Sequence, residues 1–308
     1  MRIRFHARWD LEYDKIFVKA FSSGVGNDTF DVEYDRPGLE GIWERFDDAD
    51  VGIVIGVKGT CGAVVESYRR RGAVGMMIDK GYIRQSPDNY WSLNLNSMRP
   101  TAYAFLEDKP GDRLAKLNFT LCPLRKNGNQ VVIFALSPKG FRCYDGGIPI
   151  DRLPTREEIE RCIQRQLSYF QSASDVLLKY TQRPLFYRPR GAKEVDRFEH
   201  LQVTRIDPFK ESIQESLAGA WCAVCHTSNA GVNALLAGIP VIELGSGVTA
   251  PVSSTSLGDV ERCKVPTEGE RQRWLRQLSY VQWTVAEIAS GEAWRHMRPV
   301  VESLRAKS

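Results

Sequence analysis

The chain has 308 residues, of which 43% are hydrophobic and 26% are charged, and these values exclude an extensively disordered or fibrous protein. Its length suits two domains of ordinary size. The net charge of +4 is compatible with nucleic acid or an anionic glycan as a partner, but it is too small to require either.

The sequence contains no apolar run long enough to cross a membrane, and the segment from Met1 to His6 has charged residues among its apolar positions, unlike a signal peptide. We therefore expect a cytoplasmic enzyme without membrane contacts. The seven cysteines show no paired spacing, which predicts reduced thiols. Cys222, Cys225 and His226 formally match the haem-attachment motif C-x-x-C-H, but we favour an interior strand in which cysteine acts as a small apolar residue.

The first half of the chain alternates predicted strands and helices. We predict strands over 3–7, 15–21, 50–57, 73–78 and 90–96, and helices over 39–46 and 63–71. The run 50–57 is continuously apolar, which is typical of a strand buried on both faces of a parallel sheet. Asp79 directly follows the strand 73–78, at the carboxyl edge where such sheets bind ligands, so it is the best-placed carboxylate of this half. A turn or helix-cap residue is the alternative interpretation of Asp79.

The second half continues the alternation. We predict strands over 130–137, 184–187, 203–206, 220–225 and 239–244, and helices over 155–171, 207–218, 267–278, 281–289 and 292–306. Thr155 and Glu158 form a capping box for the first of these helices. The apolar runs predict two α/β domains that divide near residue 129.

The stretch from Val224 to Glu243 carries the clearest functional signal. It contains the end of a buried strand, a polar turn from His226 to Gly231, a short helix capped by Ser228 or Asn229, and a second strand after a Gly-Ile-Pro break. A helix N-terminus at the carboxyl end of a strand offers backbone N–H groups and small hydroxyls to a phosphate.

This stretch resembles the donor site of GT-B glycosyltransferases, in which a turn with small residues, a helix and an Ala-x-Gly-x-Pro-Val segment bind the diphosphate of a nucleotide sugar. The segment from Ala237 to Ile242 matches the last part of that pattern. The resemblance implies two Rossmann-like domains that face a cleft. Residues 1–129 would bind the acceptor, residues 130–308 would bind the donor, and the last helices would pack back on the first domain. No metal or other cofactor is required in that scheme, and the donor would be a UDP-sugar such as UDP-glucose.

The same resemblance implies roles for individual residues. Three cations after the strand 184–187, namely Arg188, Arg190 and Lys193, would clamp the diphosphate, as a comparable basic turn does in capsule-type GT-B enzymes. An ordinary basic surface turn is the alternative. The remaining donor-binding candidates are Thr227, Ser228, Asn229, Gly231 and Glu243. Asp79 is the candidate catalytic base, with Asp10 and His6 behind it, and His226 would contact the donor phosphate or sugar.

The tail from Trp274 to Trp294 resembles the tails of phage-encoded glycosyltransferases. Together with the mildly basic charge, it favours a 5-hydroxymethylated pyrimidine such as hydroxymethylcytosine in double-stranded bacteriophage DNA as the acceptor. The DNA modification would then take place in the cytoplasm of a bacterial host. Arg69, Arg70, Arg71 and Lys116 are the candidates for contacts with DNA phosphates. A capsule-type polysaccharide acceptor, a sugar-nucleotide 2-epimerase and a non-catalytic nucleotide-sugar binder remain alternatives.

Overall fold

The computed structural model describes residues 1–8, 11–35, 48–56, 61–84, 89–97, 102–105, 107–125, 127–135, 155–189, 203–245 and 247–307. The strands are β1 Arg2–Arg8, β2 Thr29–Asp35, β3 Val51–Ile55, β4 Val74–Lys80, β5 Tyr90–Leu95, β6 Gln130–Phe134, β7 Leu185–Arg188, β8 Thr204–Arg205, β9 Ala220–Cys225, β10 Val241–Glu243 and β11 Gln282–Thr284. The α-helices are α1 Glu12–Gly24, α2 Cys61–Arg70, α3 Asp112–Lys116, α4 Arg156–Tyr180, α5 Ile213–Leu217, α6 Ala230–Leu236, α7 Glu268–Ser279, α8 Val285–Ala289 and α9 Glu292–Arg305. Within these described stretches, no helix has both the length and the apolar character needed to cross a bilayer.

The chain folds as two compact units, each with its own sheet. The described residues of Met1–Asn118 and Arg276–Ser308 form the first unit, and those of Phe119–Ile148 and Thr155–Leu275 form the second. The first boundary therefore lies at Asn118, ahead of the expected residue 129. A mixed α/β fold with two separate sheets is confirmed.

The first unit contains a sheet of six strands in the order β11-β5-β4-β3-β1-β2. The neighbours from β2 to β4 pair in parallel, whereas β5 is antiparallel to both β4 and β11. Helices α1, α8 and α9 pack on one face of this sheet, and α2 packs on the other. Tyr68 of α2 lies directly on β3, since a Cβ atom at Gly52 would come within 2.2 Å of its ring. Glycine is therefore required at position 52.

The C-terminal helices belong to the core of the first unit. Trp283 and Trp294 are 1% and 4% exposed, and the Trp294 indole donates a hydrogen bond of 2.8 Å to Asp28. The buried guanidinium of Arg113 lies 3.6 Å from the centre of the Trp283 ring and pairs with Glu287 at 2.9 Å. These tryptophans thus serve packing in this unit.

The second unit contains a sheet of five parallel strands in the order β10-β9-β6-β7-β8. The capping box of Thr155 and Glu158 starts α4 as predicted. Because all the strands run the same way, the ends of β6, β7, β9 and β10 meet at one edge of the sheet. This carboxyl edge is where open parallel sheets bind ligands.

One predicted strand is wrong, two predicted helices begin later than expected, and one strand was missed. The predicted helix 207–218 begins only at Ile213. The predicted strand 15–21 lies in helix α1. The buried residues of this helix, Phe17, Ala20, Phe21 and Gly24, follow a helical spacing. The prediction failed because the β-branched and aromatic residues of this segment also favour a strand. The predicted helix 281–289 begins as strand β11, because Gln282 to Thr284 pair with the distant β5. Strand β2 was not predicted, and the predicted helix 39–46 lies outside the described residues.

Substitutions of Phe17 and its neighbour Ile16 test which face of α1 is buried. Phe17 is 0% exposed in the core, whereas Ile16 is 42% exposed. We expect Phe17→Ala to lower the free energy of unfolding by about 3–5 kcal/mol and Ile16→Ala to lower it by less than about 1 kcal/mol, as measured by urea denaturation. Equal losses from the two substitutions would contradict the assigned face of α1.

Candidate functional site

The turn after β9 has an uncommon backbone conformation. Strand β9 ends at Cys225, and Thr227 adopts a φ of +63°, which is rare for a β-branched residue. Helix α6 then begins at Ala230, whose N–H donates to the Ser228 hydroxyl at 3.3 Å. Such a conformation persists only where the surrounding structure holds it, and it is often found at ligand sites.

Glu243 holds this turn in place. Its carboxylate is 1% exposed and accepts hydrogen bonds from the Thr227 backbone N–H at 2.5 Å and from the Thr249 hydroxyl at 2.7 Å. A Cβ atom at Gly247 would lie 2.4 Å from the carboxylate, so the loop after β10 approaches it closely. We call this group of Glu243, Thr227 and Thr249 the Glu243 tie. It joins the turn after β9 to the loop after β10.

The tie brings together the residues that the sequence assigns to the donor. Gly231 packs against Thr249, whose side-chain atoms would lie 3.2 Å from a Cβ at that position. The Thr227 hydroxyl oxygen is buried and has no hydrogen-bonding partner among the described residues. An unsatisfied buried hydroxyl costs about 1–3 kcal/mol, which a ligand atom that bonds to it would recover. The backbone carbonyl of Asn229, in the same turn, accepts from the Asn233 side chain at 3.3 Å.

His226 is packed inside the second unit. Its imidazole is 4% exposed and contacts the Tyr169 ring edge-to-face, with ring centres 4.8 Å apart. A Cβ atom at Gly245 would lie 2.4 Å from the Thr227 methyl group and 3.4 Å from the His226 ring, so this glycine is also required. The contacts explain the burial of His226. Its contact with a donor remains a prediction.

Of the three predicted clamp cations, only Arg188 lies within the described residues. Arg188, at the end of β7, donates from Nε to the Ser216 hydroxyl at 3.0 Å and from Nη2 to the Glu211 carbonyl at 2.7 Å. Burial lowers the pKa of its guanidinium below the ordinary value. Arg188 therefore holds the segment around α5. Arg190 and Lys193 lie outside the described residues.

Helix α7 braces the site from within the same unit. The Trp274 indole donates to the Val248 carbonyl at 2.8 Å, next to the Glu243 tie. Arg271 is 1% exposed and donates to the Leu235 carbonyl of α6 at 3.1 Å. The sequence did not predict that Thr249, Trp274 and Arg271 support the site. The glycines at 245 and 247 could have indicated these supports, because glycine is typical of positions where the backbone closely approaches other groups.

The candidate base Asp79 lies in the first unit, inside β4 rather than after it. Its side chain is half-buried and accepts from the Lys80 backbone N–H at 2.8 Å. Because strand side chains alternate, Asp79 shares the α2 face with Met77, and Lys80 faces the opposite side. His6 is 5% exposed with Nε2 3.1 Å from the Tyr68 hydroxyl, and its burial, followed by the charges of Arg4 and Arg71, lowers its pKa to about 3.

The predicted DNA-binding cations all have partners within the protein. Arg69 and Arg70 pair with Glu66 at 2.6 Å and 2.9 Å. Arg71 donates to the Ser67 carbonyl at 3.4 Å and lies over the Tyr68 ring. Lys116 pairs with Glu292 at 3.2 Å. A phosphate would have to compete with these contacts.

The haem-attachment match receives no support from the geometry. Cys222 and Cys225 are both 0% exposed within β9, and burial raises the pKa of the Cys225 thiol well above its ordinary value. Their burial agrees with the interior strand that we favoured for the C-x-x-C-H match. In the part of the chain that the structure describes, no group of three or more His, Cys, Asp or Glu side chains is arranged to hold a metal ion.

Comparisons with known proteins identify no family. No family model and no curated protein matches the chain. Among solved structures, the chain is similar to the β-Kdo 2,7 transferase KpsC of Thermosulfurimonas dismutans, with 13% identity, a TM-score of 0.48, and coverage of 96% of this chain and 99% of the other. It is also similar to a putative D-3-phosphoglycerate dehydrogenase from Ralstonia solanacearum, with 11% identity, a TM-score of 0.21 and the same coverage. These values are too low to transfer a fold or an activity to this chain.

Two substitutions of Glu243 test the tie. Glu243→Gln keeps an oxygen that accepts from Thr227 and adds an amide that donates to the Thr249 hydroxyl, so we expect a loss of unfolding free energy below about 1 kcal/mol. Glu243→Leu leaves two buried donors unsatisfied, and we expect it to lose at least about 2 kcal/mol in urea denaturation. Equal tolerance of Leu and Gln would mean that these hydrogen bonds do not hold the turn.

Proposed function

We propose that the chain is a glycosyltransferase that moves a sugar from a nucleotide-sugar donor to a hydroxyl acceptor. The turn after β9 is the observation that carries this proposal. Its sequence resembles the diphosphate-binding turn of GT-B enzymes, and the Glu243 tie holds Thr227 in a left-handed conformation at the carboxyl edge of a parallel sheet. The GT-B arrangement, with the donor on the second unit and the acceptor on the first, is part of the proposal.

The chemistry of the turn suits a leaving diphosphate. Negative charge develops on the diphosphate as the sugar departs, so groups that stabilise this charge accelerate transfer. The Thr227 and Ser228 hydroxyls and the Asn229 side chain would supply hydrogen bonds to it, whereas the N–H groups of Ala230 and Gly231 already donate to Ser228. The Nε and Nη2 atoms of Arg188 donate to groups of the protein, and among the described residues none accepts from its Nη1. The Nη1 atom would therefore donate to the diphosphate.

A base must take the proton of the acceptor hydroxyl. Asp79 is our candidate, because it is a half-buried carboxylate near the carboxyl end of β4. His6 is the weaker candidate, since its imidazole is buried and its Nε2 lies 3.1 Å from the Tyr68 hydroxyl, away from an acceptor. His226 would contact the donor rather than the acceptor.

A hydroxymethylated pyrimidine in DNA is the first acceptor that the sequence suggests. A protein binds DNA through cations that neutralise its phosphates and release the counterions of the DNA. Arg69, Arg70 and Lys116 are instead already paired with carboxylates of the protein. This pairing makes a polysaccharide, the alternative acceptor, the one that we favour. A 2-epimerase or a non-catalytic binder would use the same donor turn without an acceptor.

Thr227→Val tests donor binding with little change in shape. It replaces the buried hydroxyl with a methyl group of similar size, so we expect the affinity for nucleoside diphosphates and nucleotide sugars to fall by about ten- to a hundred-fold in calorimetry, without loss of stability. Ser67→Ala is the matched control, since Ser67 of α2 also has a buried hydroxyl with no described partner. If no nucleotide or nucleotide sugar binds the unmodified protein, the proposal is wrong.

A transfer assay separates the acceptors. Labelled nucleotide sugars are offered with DNA that contains 5-hydroxymethylcytosine, with unmodified DNA, and with acidic and neutral oligosaccharides. We expect label on an oligosaccharide and none on either DNA. Transfer to the hydroxymethylated DNA alone would instead establish the DNA acceptor, and donor binding without transfer to any acceptor would favour the binder.

A further inference from the structure

The first unit contains a cavity of about 390 Å³ that none of the proposed roles uses. It lies between α1 and the edge where β4 ends and β5 begins, and Val285 of α8 borders it. Cavities that bind small molecules usually have volumes of about 300–1,000 Å³. This cavity is therefore large enough for one small molecule or for one chain of a larger molecule.

The inner walls of the cavity are apolar. Phe17 and Ile83 are 0% and 1% exposed, and Trp91 and Val285 are half-buried. Among the described residues that line the cavity, no buried side chain carries a charge. An apolar group that enters such a cavity loses its contact with water, and this loss favours binding.

The polar side chains of the lining lie at the mouth of the cavity, where Lys80, Arg84 and Asn89 are all exposed. The Arg84 guanidinium is already engaged within the protein, since its Nε donates to the Gly81 carbonyl at 3.0 Å. The polar part of a ligand would therefore stay hydrated at the mouth while an apolar part enters. This distribution of polar and apolar groups is that expected of a site for an amphiphile.

The shape of the walls favours a flexible chain over a planar ring. The Tyr13 ring is inclined by 56° to the Trp91 ring, and the Phe17 ring is inclined by 81° to it. These rings form no common plane against which a planar ring would stack. An aliphatic chain fits such walls better, because rotation about its single bonds lets it follow their contour.

Two apolar residues of α1 extend this surface to the mouth. Ile16 is 42% exposed and Tyr13 is 61% exposed, and both line the cavity. Exposed apolar residues that adjoin one another beside a cavity are typical of a ligand-binding groove, whereas single scattered ones need no explanation. Contact with a chain would remove part of these two side chains from water.

We propose that this cavity binds an aliphatic chain whose polar end lies at the mouth. The chain would belong either to a soluble amphiphile or to a lipid of a bilayer, and the experiment below separates these sources. The inference does not depend on the proposed glycosyltransferase function, because every residue that it uses lies in the first unit and its test requires no donor.

Calorimetry with methyl, butyl, hexyl and octyl glucosides below their micelle-forming concentrations tests the site. These probes share one head group and differ only in chain length. We expect the affinity to rise about fourfold for each added methylene until the chain fills the cavity, and then to stay constant. Phenyl glucoside has a planar group with as many carbons as a hexyl chain, and we expect it to bind more weakly than hexyl glucoside. Affinity that does not depend on chain length, tighter binding of phenyl glucoside, or no binding of any probe would overturn the inference.

Substitutions of exposed residues assign this binding to the cavity. We expect Ile16→Ala and Tyr13→Ala each to weaken octyl glucoside binding at least about fivefold, because each removes apolar surface at the mouth. The matched controls are Leu178→Ala and Tyr180→Ala on α4, which are 39% and 56% exposed and lie outside the cavity, and they should leave binding unchanged. Circular dichroism checks that all four variants are folded. Equal losses from the cavity and control substitutions would contradict the site.

Vesicles of phosphatidylcholine separate the two sources of the chain. If the ligand is a bilayer lipid, the protein sediments with the vesicles, and Ile16→Ala and Tyr13→Ala weaken this binding as they weaken that of octyl glucoside. If octyl glucoside binds and the protein does not sediment, the ligand is a soluble amphiphile. Sedimentation with vesicles without binding of octyl glucoside would overturn the inference.

Discussion

The candidate donor site depends on one buried carboxylate. Burial of Glu243 would be costly if its oxygens were unpaired, and the structure satisfies both, one with the Thr227 N–H and the other with the Thr249 hydroxyl. These bonds join two segments that follow neighbouring strands. They also hold Thr227 in a backbone conformation that its side chain disfavours. The turn is thus formed before any ligand arrives, and a site that is already ordered loses less entropy on binding.

The secondary structure around this candidate site was predictable from the sequence because its elements are close together in the chain. Strand β9, the turn, helix α6 and the Gly238–Pro240 break follow one another within about twenty residues, and each has its own signal in spacing, capping or backbone preference. The role of Glu243 was not predictable in the same way. It was assigned to the donor, but its oxygens contact Thr227 and Thr249, and only the fold brings Thr249 to it.

The difference between local signals and long-range contacts also explains the incorrect predictions elsewhere in the chain. Buried strands such as β3 and β6 were recognised because a continuous apolar run identifies them without knowledge of their partners. Strand β11 pairs with β5, nearly two hundred residues earlier, and Gln282 accepts hydrogen bonds from the Tyr82 and Ile83 N–H groups. No local pattern reports such contacts, so a helix was predicted there. Likewise, the run Arg69–Arg71 suggests a basic surface, but Glu66 one turn earlier neutralises part of it.

Our central proposal is that the turn after β9 binds the diphosphate of a nucleotide. The most direct measurement is a crystal structure of the protein with the nucleoside diphosphate that stabilises it most against heat. We expect a phosphate oxygen at hydrogen-bonding distance, about 2.7 Å, from the Thr227 hydroxyl, with the Glu243 tie unchanged. A diphosphate bound elsewhere, with the Thr227 hydroxyl still buried and unoccupied, would contradict the account.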